Sequence, residues 1–265
     1  MFATALLMSV TVLPMAHAHN DYVQKRPLLG ALEQGFGSIE ADVFLVNGEL
    51  LVGHDRPQLT PERTLKKMYL EPLAAQVKAN GGTVYGKPGE LILLVDIKAD
   101  GAAVYEQLKK DLQPYHSILT KFDDKGLKRR AITVILSGDR PIDVLKAEKK
   151  RWAFIDGRPE NIGQDSNLFP LISEDFTKLF KYRGSQKMSE TESQSLTEMV
   201  SRTKAAGQKL RFWAAYDSRD MWSELFKHKV DLIGTDRQVE LASFLRETIS
   251  SAGTSGRVTR EVNLR

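Results

Sequence analysis

The sequence predicts a single α/β domain in which roughly eight strand–helix units close into a (β/α)8 barrel. Apolar runs bounded by charged or turn residues alternate with amphipathic helical segments, a pattern typical of a parallel sheet buried on both faces. The 265 residues contain no linker rich in Pro, Gly or Ser and no internal repeat, which favours one domain. An open flavodoxin-like sheet would need fewer strands and would leave some of the apolar runs unused.

Local patterns of apolar residues, caps and turns place the elements. Asn47-Gly48 is typical of a two-residue hairpin turn and predicts that two short strands pair there. Ser189 and Glu192 form a capping-box pattern at the start of the clearest helix, which Gly207 ends. Strands are expected over residues 38–44, 50–54, 91–98, 131–136, 153–155, 171–173, 209–216 and 231–235. Helices are expected over residues 26–36, 101–112, 189–206 and 238–249 and around Trp222, and residues 60–79 are expected to form a loop followed by a helix.

The composition excludes several classes of function. Apolar content of 42% and charged content of 27% are typical of a soluble globular protein. The net charge of +4 comes from scattered basic residues, so nucleic-acid binding is not expected, whereas an anionic small-molecule or lipid substrate is compatible with it. The absence of cysteine excludes thiol catalysis, thiolate metal sites and disulfides. The sequence leaves the oligomeric state open.

The first eighteen residues allow two interpretations. Residues 2–15 are apolar and lead to Ala16-His17-Ala18, which has the form of a signal-peptidase site, but no Lys or Arg precedes them. The run is too short to span a membrane. Alternatively, residues 11–18 form the first barrel strand. A signal peptide would make the protein secreted or periplasmic, and a strand would leave it cytoplasmic.

The remaining chain is expected to divide into the barrel and a tail. The barrel domain is expected over residues 19–249, after the signal-like segment or first strand at residues 1–18. Residues 250–265 contain few large apolar side chains and are expected to form a disordered tail.

Several predicted strands end in two polar residues spaced two apart. The pairs are Glu40 and Asp42, Asp96 and Lys98, Asp156 and Arg158, and Arg211 and Trp213. This spacing puts each pair on one face at the C-terminal end of its strand, where barrel active sites are built. Glu40 and Asp42 taken alone fit a solvated edge, but the repetition favours a site, and two such carboxylates are stabilised by a hard divalent ion between them.

Two of the five histidines lie beside these carboxylates in the predicted fold. His19 follows the first strand and His54 follows the hairpin, and imidazole both accepts and donates a proton near pH 7, as an acid and base pair requires. The other histidines are expected to be ordinary structural or surface residues: His17, His116 and His228.

The strand-end arginines and tryptophan each allow two roles. The strand-end arginines are Arg140, Arg158 and Arg211. Each would either bind an anion or form a structural ion pair with Asp139, Asp156 or Asp236. Trp213 would either stack on a substrate head group or belong to the core.

The motifs carry a resemblance to a known family. His19-Asn20, Glu40-Ala41-Asp42 and His54-Asp55 resemble the glycerophosphodiester phosphodiesterase pattern of a histidine followed by Glu-x-Asp and His-Asp. The similarity continues through residues 94–98 and 231–236 and so covers nearly the whole chain. Among PI-PLC-like phosphodiesterases, the chain is most similar to the branch that includes yeast altered inheritance of mitochondria protein 6, whose members carry Ala-His-x-His-Asn-Asp-Tyr early.

The resemblance implies a PI-PLC-like TIM barrel with a divalent ion, Ca²⁺ or Mg²⁺. Glu40, Asp42 and Asp96 would hold the ion. The third position is usually Glu in glycerophosphodiesterases, whereas Asp96 followed by Lys98 is similar to sphingomyelinase D proteins. The small helical insertion of bacterial glycerophosphodiesterases is not obvious between residues 54 and 91, so specificity for glycerophosphodiesters does not follow.

The implied activity is hydrolysis of a glycerophosphodiester or phospholipid head group. His19 and His54 would act as acid and base, and Lys98 and the ion would neutralise the phosphoryl oxygens. The expected substrate contacts are Asn20, Arg140, Arg158, Arg211 and Trp213. A non-catalytic barrel that binds phosphorylated lipids or sugars is the alternative, but the complete set of two histidines and three carboxylates favours an enzyme.

Overall fold

Strands and helices alternate along the chain in the computed structural model, which describes the backbone of residues 10–262 and the side chains of residues 10–251. The strands are β1 (Leu13–Ala18), β2 (Phe36–Val46), β3 (Glu49–Val52), β4 (Leu91–Ile97), β5 (Lys121–Asp123), β6 (Gly126–Lys128), β7 (Ile132–Gly138), β8 (Ala153–Gly157), β9 (Leu171–Asp175), β10 (Lys209–Trp213) and β11 (Ile233–Thr235). The helices are α1 (Leu29–Glu33), α2 (Glu71–Ala79), α3 (Gly101–Leu112), α4 (Ile142–Ala147), α5 (Phe176–Leu179), α6 (Glu190–Ala205), α7 (Arg219–Lys227) and α8 (Gln238–Val262).

Eight of the strands run parallel in the order β10-β9-β8-β7-β4-β2-β1-β11. The two ends of this sheet meet where Arg211 of β10 forms a parallel bridge with Leu232, just before β11. The sheet is therefore a nearly closed barrel, and the prediction of a (β/α)8 barrel is confirmed. β3 pairs antiparallel with β2 outside the eight-strand order, joined by Asn47 and Gly48 at φ 49° and 80°, as the hairpin prediction requires.

Alternating strand side chains fill the inside of the barrel and cover its outside. A compact interior cluster consists of Ile92, Leu94, Ile135, Phe154, Leu171 and Leu232. The β5–β6 hairpin, which the sequence analysis did not anticipate, packs Phe122 and Leu127 against this cluster. Apolar packing inside the barrel leaves its C-terminal end as the place where polar strand-end residues collect.

The ends of the described chain bear on two expectations. Leu13–Ala18 is β1, hydrogen-bonded to β2 and β11, as the strand interpretation of this segment expects. Residues 1–9, which hold most of the signal-like run, lie outside the described residues. α8 continues to Val262, past the expected end at residue 249, and so covers most of the segment predicted as a disordered tail. Among the described residues no helix has the length and apolarity needed to cross a bilayer.

Candidate active site

Three carboxylates meet at the C-terminal ends of β2 and β4. Asp42 and Asp96 are register partners on the two adjacent strands, and Glu40 lies two residues before Asp42 on the same face. One ligand oxygen from each lies within 4.8 Å of the others. Glu40 and Asp42 are buried and Asp96 is partly buried, so this cluster is enclosed rather than a solvated edge.

Within the part of the chain that the structure describes, Asp42 accepts hydrogen bonds through only one of its two carboxylate oxygens. Oδ2 lies 2.6 Å from the Tyr22 hydroxyl, 2.7 Å from Lys98 Nζ and 3.0 Å from His54 Nδ1. Oδ1 is buried without a partner among the described residues. A buried carboxylate oxygen with no donor is costly, and a bound cation would satisfy it.

Glu40 is held by two buried side chains. Its Oε2 accepts from Arg211 Nη2 at 2.6 Å and from His17 Nε2 at 2.8 Å. Burial opposes ionisation of Glu40, but the Arg211 charge and the His17 hydrogen bond outweigh it and hold the Glu40 pKa well below its usual range. Arg211 therefore pairs with Glu40, not with any of the partners expected from the sequence.

His17 belongs to this cluster as a buried core residue whose two ring nitrogens are both hydrogen-bonded. Its ring is fully buried, with Nδ1 2.7 Å from Ser38 Oγ and Nε2 on Glu40. Burial and the nearby Arg211 lower the His17 pKa to about 4, so the ring is neutral near pH 7. A neutral ring that donates from Nε2 to Glu40 and accepts at Nδ1 from Ser38 satisfies all of these groups.

Asp96 and Lys98 complete the charged cluster. Burial raises the pKa of Asp96 to about 6, and the negative charges of Asp42 and Glu40 add to this effect against the opposing charge of Lys98. Lys98 Nζ lies 3.5 Å from Asp96 Oδ1 and closer to Asp42. The three carboxylates form ion pairs with two cations, Lys98 and Arg211. When all three carboxylates are ionised, these five side chains carry a net charge of −1. The three carboxylate ligands and their net negative charge fit a hard divalent cation.

Each predicted catalytic histidine hydrogen-bonds a carboxylate through Nδ1. His54 Nδ1 lies 3.0 Å from Asp42, and His19 Nδ1 lies 2.9 Å from Asp236 Oδ1. No described residue hydrogen-bonds the Nε2 atom of either ring. Burial lowers the His19 pKa, but the hydrogen bond to Asp236 and the charge of Glu40 outweigh it and raise that pKa. A carboxylate on Nδ1 fixes the tautomer that leaves Nε2 ready to exchange a proton.

Two arginines converge on β8. Nη1 of Arg140 and Nη1 of Arg158 both donate to the Asp156 carbonyl oxygen, and Arg158 Nη1 also lies 3.1 Å from Asp156 Oδ2. Asp156 is fully buried and accepts from the hydroxyls of Ser137 and Ser173. The ion pair expected with Asp156 is present for Arg158, whereas Arg140 meets only its backbone.

Trp213 lies beneath Arg158 at the barrel mouth. The Arg158 guanidinium is 4.7 Å from the centroid of the indole ring, and Trp213 is partly exposed rather than part of the core. A pocket of about 240 Å³ opens beside it, bordered by His19, Arg211 and Asp236. The pocket adjoins His19 and is large enough for a small polar group.

A loop after β1 carries His19, Asn20 and Tyr22 to the site. The Tyr22 hydroxyl lies 2.8 Å from Asn20 Oδ1 as well as on Asp42. Asp21 lies between Asn20 and Tyr22 in the sequence, and its side chain is buried. It accepts hydrogen bonds from Leu28 N at 2.5 Å, Tyr69 Oη at 2.9 Å and Gln238 Nε2 at 2.9 Å. Asp21 thereby ties the loop to the helical layer, and α1 at Leu29–Glu33 is shorter than the helix predicted over residues 26–36.

The Asp21→Ala variant should lower the free energy of unfolding by about 3 kcal/mol, because three buried donors lose their acceptor. Urea denaturation followed by circular dichroism measures the change. The exposed Asp124→Ala variant is the control and should stay within about 0.5 kcal/mol of wild type. Equal stability of the two variants would contradict this role of Asp21.

The AIM6-like phosphodiesterase domain matches residues 6–156, more than half of the chain and all three carboxylates. The chain belongs to the AIM6-like phosphodiesterase family. A relative in this family, altered inheritance of mitochondria protein 6 of Eremothecium gossypii, is 30% identical over 269 residues, which cover 87% of this chain and 69% of the relative.

Two solved structures share the fold of this AIM6-like chain. One is a calcium-dependent phosphoinositol-specific phospholipase C from Pseudomonas sp., with a TM-score of 0.54, 11% identity and coverage of 86% of this chain and 92% of the other. The second is a glycerophosphodiester phosphodiesterase from Agrobacterium tumefaciens, with a TM-score of 0.53, 13% identity and coverage of 88% and 100%. Both confirm the barrel architecture of the AIM6-like chain, as the resemblance implied.

Sequence reasoning missed three polar side chains that support the AIM6-like site. They are His17 on Glu40, Tyr22 on Asp42 and Asp236 on His19. His17 lies on β1, two residues before His19, which follows the end of that strand. The contacts of Tyr22 and Asp236 depend on the loops and follow from no short-range pattern.

Proposed function

We propose that this protein is a metal-dependent phosphoric diester hydrolase that acts on a glycerophosphodiester or a phospholipid head group. The observation that carries the proposal is a cluster of three carboxylates in which Asp42 Oδ1 has no hydrogen-bond partner among the described residues. Two histidines lie next to this cluster, and no described residue hydrogen-bonds their Nε2 atoms. Glu40, Asp42 and Asp96 would hold Ca²⁺ or Mg²⁺. A bound divalent cation supplies positive charge against the phosphoryl oxygens and so stabilises the charge that builds on them.

The chain supplies proton transfer and positioning. One histidine would remove a proton from a substrate hydroxyl or from water at its Nε2, and the other would protonate the leaving oxygen. Asp42 and Asp236 keep His54 and His19 in the tautomer with a proton on Nδ1. Lys98 is charged beside Asp42 and would stabilise the phosphoryl oxygens electrostatically.

Substrate contacts would come from the strand-end residues around the mouth. Arg140 and Arg158 hold their guanidinium groups at one carbonyl oxygen, which concentrates positive charge beside the pocket. Trp213, stacked under Arg158, gives a flat face for a head group. Asn20 would bind substrate from the loop after β1, and Arg211 would act through Glu40, since Glu40 occupies its Nη2 atom.

Cation-dependent cleavage is the direct test. Purified protein should hydrolyse bis-p-nitrophenyl phosphate, glycerophosphocholine or a lysophospholipid when Ca²⁺, Mg²⁺ or Mn²⁺ is present, and EDTA should abolish the activity. Product release is followed by absorbance or by phosphorus NMR. Cation binding together with binding but no cleavage of every diester would contradict the proposal and would support a non-catalytic barrel.

A further inference from the structure

Large apolar side chains are exposed on one side of the barrel mouth. Six such residues are more than 40% exposed among the described residues, and five lie in segments that follow strands of the barrel. We call these five the apolar rim: Val23, Leu29, Leu179, Tyr216 and Val239. The sixth, Ile249, lies on α8 ten residues beyond Val239, about 15 Å along the helix from the rim.

The apolar rim occupies consecutive positions around the barrel. Its residues follow β1, β9, β10 and β11, which are neighbours because β10 and β11 meet at the closure of the sheet. The segments also touch, since Gln24 donates to the Asp236 carbonyl at 2.8 Å and Arg237 donates to the Asp217 carbonyl at 3.4 Å. The described segments after β4, β7 and β8 expose no large apolar side chain.

The pocket beside His19 opens among these same segments. Its borders include Trp213 and Asp217 from the β10 end and Asp236 from the β11 end. Most of the apolar rim therefore lies in the same segments that border this pocket. Apolar side chains grouped at the entrance of a site indicate a contact with an apolar partner, whereas single exposed ones need no explanation.

Exposed cations accompany the apolar side chains. Lys25 lies two residues after Val23, Lys181 lies two after Leu179, and neither lysine forms an ion pair with another described residue. Arg219 and Arg237 lie beside Tyr216 and Val239, paired with Glu247 and Glu240 respectively. Apolar tips with flanking lysines suit a bilayer surface, where the tips enter the headgroup layer and the ammonium groups meet lipid phosphates.

We infer that the apolar rim docks on the surface of a lipid bilayer. Docking would turn the pocket beside His19 toward the headgroups, so a phosphodiester could reach the carboxylates while its acyl chains stay in the membrane. The docking rests on the rim residues alone. The assignment of the substrate as a bilayer phospholipid rests on the proposed function.

Co-sedimentation with vesicles tests the docking. Vesicles of phosphatidylcholine, with and without phosphatidylserine, should bind the wild-type protein. The double variants Leu179→Ser/Tyr216→Ser and Val23→Ser/Val239→Ser should each weaken binding at least about tenfold, because each removes two apolar side chains from the contact. Ile249→Ser is the control, since Ile249 is about as exposed as Leu179 but lies away from the mouth, and it should bind like wild type.

Activity assays separate the docking from the chemistry. Hydrolysis of vesicle phospholipid should fall with vesicle binding, while hydrolysis of bis-p-nitrophenyl phosphate should be unchanged in every rim variant. No vesicle binding by the wild type, or equal binding by rim and control variants, would overturn the inference while leaving the hydrolase proposal standing. Vesicle binding through the rim without hydrolysis of any phosphodiester would support the docking and overturn the hydrolase proposal. A wild-type dimer that the rim variants dissociate would assign the surface to a second copy and also overturn the docking.

Discussion

The His54→Ala variant should lower kcat for phosphodiester hydrolysis by about 10²–10⁴-fold, as should His19→Ala, because positioned acid–base groups contribute that much. In each ring, Nδ1 hydrogen-bonds a carboxylate and no described residue hydrogen-bonds Nε2. Truncation to alanine therefore removes the atom that transfers the proton but breaks no hydrogen bond of Nε2 with a described residue. Steady-state kinetics of each variant across pH measures the loss. The limb of the pH–rate profile that disappears identifies the base and the acid.

A surface histidine provides the control for this experiment. His116 lies near a carbonyl of its own turn and far along the chain from the carboxylates, so His116→Ala should keep wild-type kcat. Thermal unfolding of all three variants checks that the fold is retained. Full activity of both His19→Ala and His54→Ala would end the acid–base proposal, whatever the cation requirement.

The Asp42→Asn variant should weaken the binding of Ca²⁺ or Mg²⁺ more than about 100-fold, since it replaces the charged ligand at the centre of the cluster with a neutral amide. Isothermal titration calorimetry on the wild type and the variant measures the dissociation constants. Asp100→Asn is the matched control, an exposed carboxylate just after β4 that contacts no ligand residue. Equal affinities of the Asp42 and Asp100 variants would show that the cation binds elsewhere.

The same titration should depend on pH. Asp96 must lose its proton to bind a cation, and burial together with the neighbouring carboxylates raises its pKa to about 6. Protons therefore compete with the cation as pH falls through 6, and affinity should be about tenfold weaker at pH 5 than at pH 7. Constant affinity over this range would exclude Asp96 as a ligand that titrates near pH 6.

The barrel and the central carboxylates could be predicted from the sequence because their patterns are local. Apolar runs fix the strands, and spacing by two places Glu40 with Asp42 and Asp96 with Lys98 at strand ends. The adjacency of β2 and β4 then brings both pairs together, as the register of Asp42 and Asp96 shows. Nothing beyond strand order was needed for this part of the site.

The partners of these residues could not be predicted because they come from distant strands and loops. Arg211 reaches Glu40 across the barrel interior. Several acidic residues fit equally well as its partner when only the sequence is considered. His17 also belongs to a possible cleavage motif, so the sequence leaves its place on a strand as one of two interpretations, and the pairing of β1 with β2 and β11 decides between them. The β5–β6 hairpin is too short for its alternation to stand out.

The pairing of β1 with β11 brings early and late parts of the chain together at the site. His19 bonds Asp236, Asp21 bonds Gln238, and Glu40 bonds Arg211, contacts that span 217, 217 and 171 residues. A chain still on the ribosome has no Asp236 to orient His19 and no Arg211 to keep Glu40 ionised. Synthesis must therefore pass β11 before all of these contacts can form, and a chain that ends before β10 lacks the groups that orient His19 and hold Glu40 ionised.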